Sequence, residues 1–302
     1  MEAVEPAAAP AKHAAATLKA PSLPLRAGLW TASRALRLMG KARYLLADAL
    51  GMCVCAFSPK GRRRTAANHR RLDPRLDDRG SRRLARASYR EFMRTSFDFV
   101  WEYAMSPKTL KPRHFRVDGL DNVWASRDSH GGGIFALAHF GSWDVAAALA
   151  LASDIPLVTV MRAIGTDLVT QIAVWARRHQ NMEVLITGNA ARGLVDAVRR
   201  GRFAAILCDL PERGATVEVD FCGGPVKFST APAWLARTTG VPIMPVDCVR
   251  VGGRYVMTVH EPVSTGEEDD DAVVMQRVAA VLEEPIRRSP AQWYPFGNVY
   301  LA

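Results

Sequence analysis

Apolar and polar positions change rhythm twice along this chain. From Ala27 to Phe57, apolar residues such as Leu29, Trp30, Leu36, Leu45 and Leu50 recur at helical spacing. That spacing predicts one or two amphipathic helices. An arginine-dense stretch follows, and from Ser81 to Tyr103 the helical rhythm returns through Leu84, Phe92, Phe97 and Trp101. Beyond Pro107, short apolar runs alternate with longer amphipathic ones. Strands are expected over Gly133–Ala138, Pro156–Val160, Glu183–Ile186, Phe203–Cys208, Thr216–Phe221, Pro242–Val249 and Tyr255–Val259. Helices are expected over Asp144–Leu151, Asp167–Arg178, Ala190–Arg200, Thr230–Arg237 and Asp271–Arg288. Such alternation argues for an α/β fold, with a mostly parallel, buried sheet flanked by helices as an α/β/α sandwich.

This pattern divides the chain into three parts. Residues 1–26 are rich in Ala and Pro, lack the apolar centre of a secretory signal, and are expected to be disordered. Residues 27–105 form an amphipathic and basic helical arm. Residues 106–302 form the α/β core. The apolar run Tyr44–Phe57 is too short for a membrane span, which needs roughly 20 residues. Any membrane contact is therefore expected to be peripheral, through the arm.

Charge sharpens the picture of the arm. The 302 residues carry 40 Lys+Arg against 30 Asp+Glu, a net charge of +10. Between Lys60 and Arg94 there are 13 basic and 4 acidic residues, so 13 − 4 gives +9 in this stretch alone. An excess so concentrated suits anionic partners: a membrane surface, nucleic acid or phosphate-bearing molecules. Few aromatics interleave the arginines, so a nucleic-acid partner is not expected. The five cysteines are odd in number and contain no C-x-x-C pair, which fits reduced thiols without a zinc site or disulfide framework.

The segment richest in chemistry is Phe135-Ala-Leu-Ala-His139-Phe-Gly-Ser-Trp-Asp144. An apolar strand runs directly into a histidine, Gly141 offers a turn, and Ser142 offers a helix N-cap. A His at the carboxyl end of a strand faces the crevice where open α/β sheets bind ligands. The helix start beside it supplies backbone N–H groups that favour negative charge. Acyl transfer needs both features, a base for an alcohol proton and a site for an oxyanion. Asp144 is the candidate companion acid. Five residues along a continuous helix separate two side chains by about 140°. The pair can therefore meet only if His139 precedes the helix, which the Phe-Gly-Ser turn allows.

His-x4-Asp in this setting resembles the glycerolipid-type acyltransferases. The branch it is similar to holds the lipid A late acyltransferases and the phosphatidylinositol mannoside acyltransferases. The likeness extends to Asn68-His-Arg-Arg-Leu, to Gly119-Leu-Asp-Asn-Val, and to Gly131–Gly133 before the strand. It continues through Ala197–Asp209, Glu218-Val-Asp-Phe-Cys-Gly223, and Ala231-Pro-Ala-Trp-Leu-Ala with Gly240–Val246. The resemblance implies His139 as base, with Asp144 and Glu218 as its acids. It also implies Arg162, Ser142 and Asp209 on the substrate side. The donor would be acyl-CoA or an acyl carrier protein, used as a co-substrate with no further cofactor and no metal. The acceptor would be a membrane glycolipid at the cytoplasmic face of a bacterial plasma membrane. Three positions depart from the pattern: Asp209-Leu-Pro211 lacks a second acid, Ala231 replaces a Gly, and Trp293-Tyr-Pro-Phe-Gly matches loosely.

Other chemistries find little support. His130-Gly-Gly-Gly133 looks like an esterase oxyanion loop, but no G-x-S-x-G elbow accompanies it. Neither G-x-G-x-x-G nor G-x4-G-K-[ST] occurs. Cys208 is expected to be a small buried residue rather than a nucleophile. Two alternatives stay open at this level. One is a thioester hydrolase using the same base with water. The other is a basic nucleic-acid-binding protein.

Overall fold

The computed structural model describes residues 21–102, 115–161, 167–186, 190–211, 214–266 and 268–301. Four helices come first: α1 (Leu23–Met39), α2 (Arg43–Phe57), α3 (Pro59–Leu72) and α4 (Asp78–Glu102). Pro24 occupies the first turn of α1, where its missing N–H costs nothing, so the helix starts inside the segment expected to be disordered to residue 26. The arginine-dense stretch is also helical, as α3 and the beginning of α4.

The core follows in alternation: β1 (Phe115–Asp118), α5 (Leu120–His130), β2 (Gly133–Leu137), α6 (Trp143–Ala152), β3 (Leu157–Met161), α7 (Asp167–His179), β4 (Glu183–Ile186), α8 (Ala190–Arg199) and β5 (Phe203–Leu207). A hairpin comes next, β6 (Thr216–Phe221) and β7 (Gly224–Ser229), then α9 (Ala231–Thr239), β8 (Ile243–Val251), β9 (Arg254–Val259) and α10 (Asp271–Arg288). Seven strands form one sheet in the order β1-β9-β8-β2-β5-β3-β4. All neighbours run parallel except β8 and β9.

Helices flank the sheet on both faces, and β2 shows why. Ile134 and Ala136 join a core that includes residues of α8, α9 and α10. Phe135 and Leu137 join a second core that includes residues of α5, α6 and α7. A strand buried on both faces carries no polar alternation, which is why β2 reads Gly-Ile-Phe-Ala-Leu. The expectation of a mostly parallel central sheet flanked by helices holds.

The arm helices pack tightly. A Cβ on Gly51 of α2 would lie 2.7 Å from the Tyr89 carbonyl of α4, so only glycine permits this approach. Arg94 of α4 grips Asp48 of α2 through two 2.6 Å hydrogen bonds. A buried polar cluster ties both helices to the sheet. Asp98 accepts from Tyr44 at 2.9 Å, from Arg250 at 3.0 Å and from Tyr255. Burial still raises the Asp98 pKa, against the lowering influence of Arg250 and the hydrogen bond from Tyr255.

Asn68 and His69 of α3 secure the C-terminal segment. Asn68 Nδ2 donates to the carbonyls of Pro295 and Gly297 at 2.8 and 3.0 Å. The buried His69 ring meets Ser88 Oγ at 2.8 Å and packs nearly perpendicular to the Trp293 ring, 5.6 Å between centroids. Burial lowers the His69 pKa from 6.5 to about 4. The unfolded chain therefore takes up this proton first as pH falls. Stability is unaffected above pH 6.5 and drops by about 3 kcal/mol on reaching pH 4 from this residue. Urea unfolding of the native protein and His69→Gln at pH 7 and pH 4.5 checks this. The acid-induced loss should be smaller in the variant, and equal losses would contradict it.

Candidate active site

Strand register builds the centre of the site. Adjacent parallel strands β2 and β5 pair Leu137 with Leu207. Two residues further on, each strand delivers a polar side chain, His139 from β2 and Asp209 from β5. Both lie at the carboxyl edge of the sheet, where α/β folds bind ligands. His139 Nδ1 and Asp209 Oδ1 are 2.8 Å apart. The His139 backbone N–H also donates to both carboxylate oxygens, at 3.0 and 2.9 Å. Asp209 is 3% exposed and the imidazole 30%.

A carboxylate can only accept, so the imidazole carries its hydrogen on Nδ1. Nε2 then presents a lone pair, and it has no protein partner among the described residues. The Trp143 ring packs against the imidazole at 5.5 Å with planes 70° apart, limiting its rotation. Burial on its own lowers the His139 pKa. The charge of Asp209 and its hydrogen bond outweigh that, and the net shift is upward from 6.5.

The turn after His139 is held from two sides. Gly141 has φ +63°, and a Cβ there would sit 2.1 Å from the Cys248 carbonyl of β8. Ser142 N–H donates to that same carbonyl at 2.8 Å, and Gly141 N–H donates to Gln292 at 2.8 Å. Phe140 bridges Trp293 in antiparallel fashion. Ser142 is the N-cap of α6, and its buried Oγ has no hydrogen-bond partner among the described residues.

This geometry rearranges the expected acids. Asp144, expected to meet His139, accepts instead from Arg177 of α7 at 2.6 Å. The pinned turn directs the imidazole toward β5, while the first turn of α6 directs Asp144 toward α7. Glu218, expected as a second acid, is exposed on β6 opposite Lys227. Its neighbours Val219 and Phe221 enter the core, so strand alternation carries Glu218 to the outer face. Among the described residues, neither acid hydrogen-bonds to His139. Arg162 lies outside the described residues. Asp209, expected on the substrate side, is the carboxylate that touches the imidazole. Its signal in the sequence was the pair of apolar strands that each end two residues before a polar one.

Two other features resolve as structure. His130 and Gly131 form the C-terminal end of α5 rather than an oxyanion loop. Cys208 is fully buried, and burial followed by the charge of Asp209 pushes its thiol pKa far up, which leaves no reactive thiolate. Among the described residues, no group of three His, Cys, Asp or Glu is placed to hold a metal ion.

Comparison with known proteins decides the family. The model for bacterial lipid A biosynthesis acyltransferases matches residues 20–301. The chain belongs to that family. As an acyltransferase of this family, it is an enzyme that moves acyl groups to oxygen, and His139 sits on the sheet edge where such chemistry is expected. One relative is a phosphatidylinositol mannoside acyltransferase of Mycolicibacterium smegmatis, 29% identical over 224 residues, covering 73% of this chain and 72% of that protein. Another carries the same name in Mycobacterium tuberculosis strain H37Rv, 28% identical over 190 residues, covering 62% of this chain and 60% of that one.

Proposed function

We propose that this acyltransferase moves a fatty acyl chain from a thioester donor, acyl-CoA or an acyl carrier protein, to a hydroxyl of a membrane glycolipid. The acceptor class best supported by the named relatives is the phosphatidylinositol mannosides. The observation that carries the reading is an imidazole fixed on Nδ1 by a buried carboxylate, with Nε2 open.

In this mechanism the acceptor hydroxyl gives its proton to His139 Nε2. The oxygen attacks the thioester carbonyl, and Asp209 stabilises the imidazolium that forms. The tetrahedral oxyanion is held at the N-terminus of α6, with Ser142 Oγ as a further donor. Collapse breaks the C–S bond, the leaving thiolate takes the proton back from His139, and an ester and a free thiol depart. No acyl-enzyme forms. An assay that withholds the lipid separates transfer from hydrolysis. Thioester consumption should nearly stop without glycolipid, whereas unchanged release of free fatty acid would mean a hydrolase.

The arm supplies the contact with the membrane in this proposal. Leu38 and Phe57 are each 89% exposed, and Leu45, Leu46, Leu50 and Val54 continue an open apolar surface on α2. On α4, Arg79, Arg83, Arg86 and Arg90 recur at spacings of four, three and four, and all are exposed. None of the four has an acidic partner among the described residues. Among those residues no helix is long and apolar enough to cross a membrane. The arm would therefore lie on the anionic inner leaflet, apolar side chains in the interface and arginines among the headgroups. Replacing the four arginines by glutamine should weaken co-sedimentation with anionic vesicles at least about tenfold. Unchanged sedimentation would rule out this use of α4.

A further inference from the structure

The C-terminal segment that follows α10 does more than close the chain. Its residue Tyr294 grips both ends of the turn that carries His139. The Tyr294 backbone N–H donates to the His139 carbonyl at 3.3 Å. Its phenol donates to the Gly141 carbonyl at 3.1 Å. The phenol also meets Thr95 Oγ1 of α4 at 3.0 Å, and Thr95 reaches the same Gly141 carbonyl at 3.4 Å. The ring packs edge-on against Trp143, 5.9 Å between centroids, and Trp143 in turn packs against His139. Tyr294 is buried, and its ring also contacts Phe92 of α4.

We infer that Tyr294 is a positioning residue for His139, joining the catalytic turn to helix α4 through its phenol. The physical reason is that Asp209 fixes one nitrogen of the imidazole but not the backbone beyond it. Gly141, at positive φ, has no side chain with which to anchor the turn. Gln292 and Cys248 hold the N–H groups of Gly141 and Ser142, and the two Tyr294 bonds add the hold on the carbonyls of His139 and Gly141 that completes the fixing of the turn. Because displacements of about 1 Å in a reacting group can cost on the order of a hundredfold in rate, a group set this close behind the base acts on turnover rather than on substrate affinity. α4 is also the helix with the exposed arginines, so the same phenol couples the proposed membrane-facing arm to the site. This role rests on the acyl-transfer reading of His139.

The test is Tyr294→Phe, which keeps the ring packing and the backbone bond and removes only the phenol hydrogen bonds. Full-length native enzyme and variant would be compared in steady-state acyl transfer with palmitoyl-CoA and phosphatidylinositol mannoside. Proton NMR would follow the downfield Nδ1–H signal of His139, assigned by its absence in His139→Gln. The expected result is a fall in kcat of about tenfold, with KM for both substrates within about twofold. The Nδ1–H signal should exchange faster with solvent. A kcat equal to the native value with an unaltered Nδ1–H signal overturns the inference, as does a loss seen in melting temperature alone. Should the native enzyme transfer no acyl group, the functional reading fails. The Nδ1–H signal then decides the positioning claim by itself.

Discussion

His139→Ala is expected to lower acyl transfer by at least about a thousandfold while leaving vesicle binding intact. A positioned base supplies roughly a hundred- to ten-thousand-fold. Among the described residues, no neighbouring group stands ready to replace it: the Cys208 thiol is buried with its pKa far up, and Asp144 is engaged by Arg177. Alanine removes the Nε2 lone pair outright. It also leaves the buried Asp209 with only the backbone N–H of position 139 as a partner among the described residues. His139→Gln, which keeps a polar group near Asp209, should therefore fold better and be equally inactive. Residual transfer near the native rate in either variant would remove His139 from the mechanism.

The second large effect separates the two candidate acids. Asp209→Asn should reduce transfer on the order of a thousandfold, because an amide can donate to Nδ1 and favour the wrong tautomer. The pH dependence carries the same distinction. Asp209 raises the His139 pKa against burial, which lowers it. A general base must be unprotonated, so the native rate should fall as pH drops through an apparent pKa above 6.5. In Asp209→Asn the opposing charge is gone, burial prevails, and the acid limb should move to lower pH. Asp144→Asn should leave that limb in place, since its carboxylate faces Arg177. Its main effect should be a less stable junction between α6 and α7. If Asp144→Asn instead moved the limb and Asp209→Asn did not, the pairing described here would be wrong.

Much of the fold was legible because parallel strands buried on both faces leave a plain mark. β2 and β5 read as unbroken apolar runs, and α10 was marked by its amphipathic spacing over Asp271–Arg288. The elements missed, which include α5 as well as two strands, lacked such marks. β1 is four residues long, sits at the edge of the sheet, and carries Arg116 and Asp118. β7 opens on Gly224-Pro225, a turn signature, and alternates only through Val226 and Phe228. His139, the proposed base, was visible because its strand runs straight into it. Its partner was not, because which strand lies beside β2 is a fact of topology, and β5 is 70 residues away in sequence. Spacing along the chain favoured Asp144, whereas the acid that arrives is the one delivered by the neighbouring strand. Tyr294 was hidden for the same reason, since it reaches the turn from the far end of the chain.

The most direct measurement is the mass of the lipid product. Native enzyme, His139→Ala and Asp209→Asn would each receive isotope-labelled palmitoyl-CoA and purified phosphatidylinositol mannoside on anionic vesicles. The expected result is a mannoside heavier by one labelled acyl group with the native enzyme, and only traces with either variant. An unlabelled mannoside together with labelled free fatty acid, or equal labelled product from all three proteins, would contradict the account.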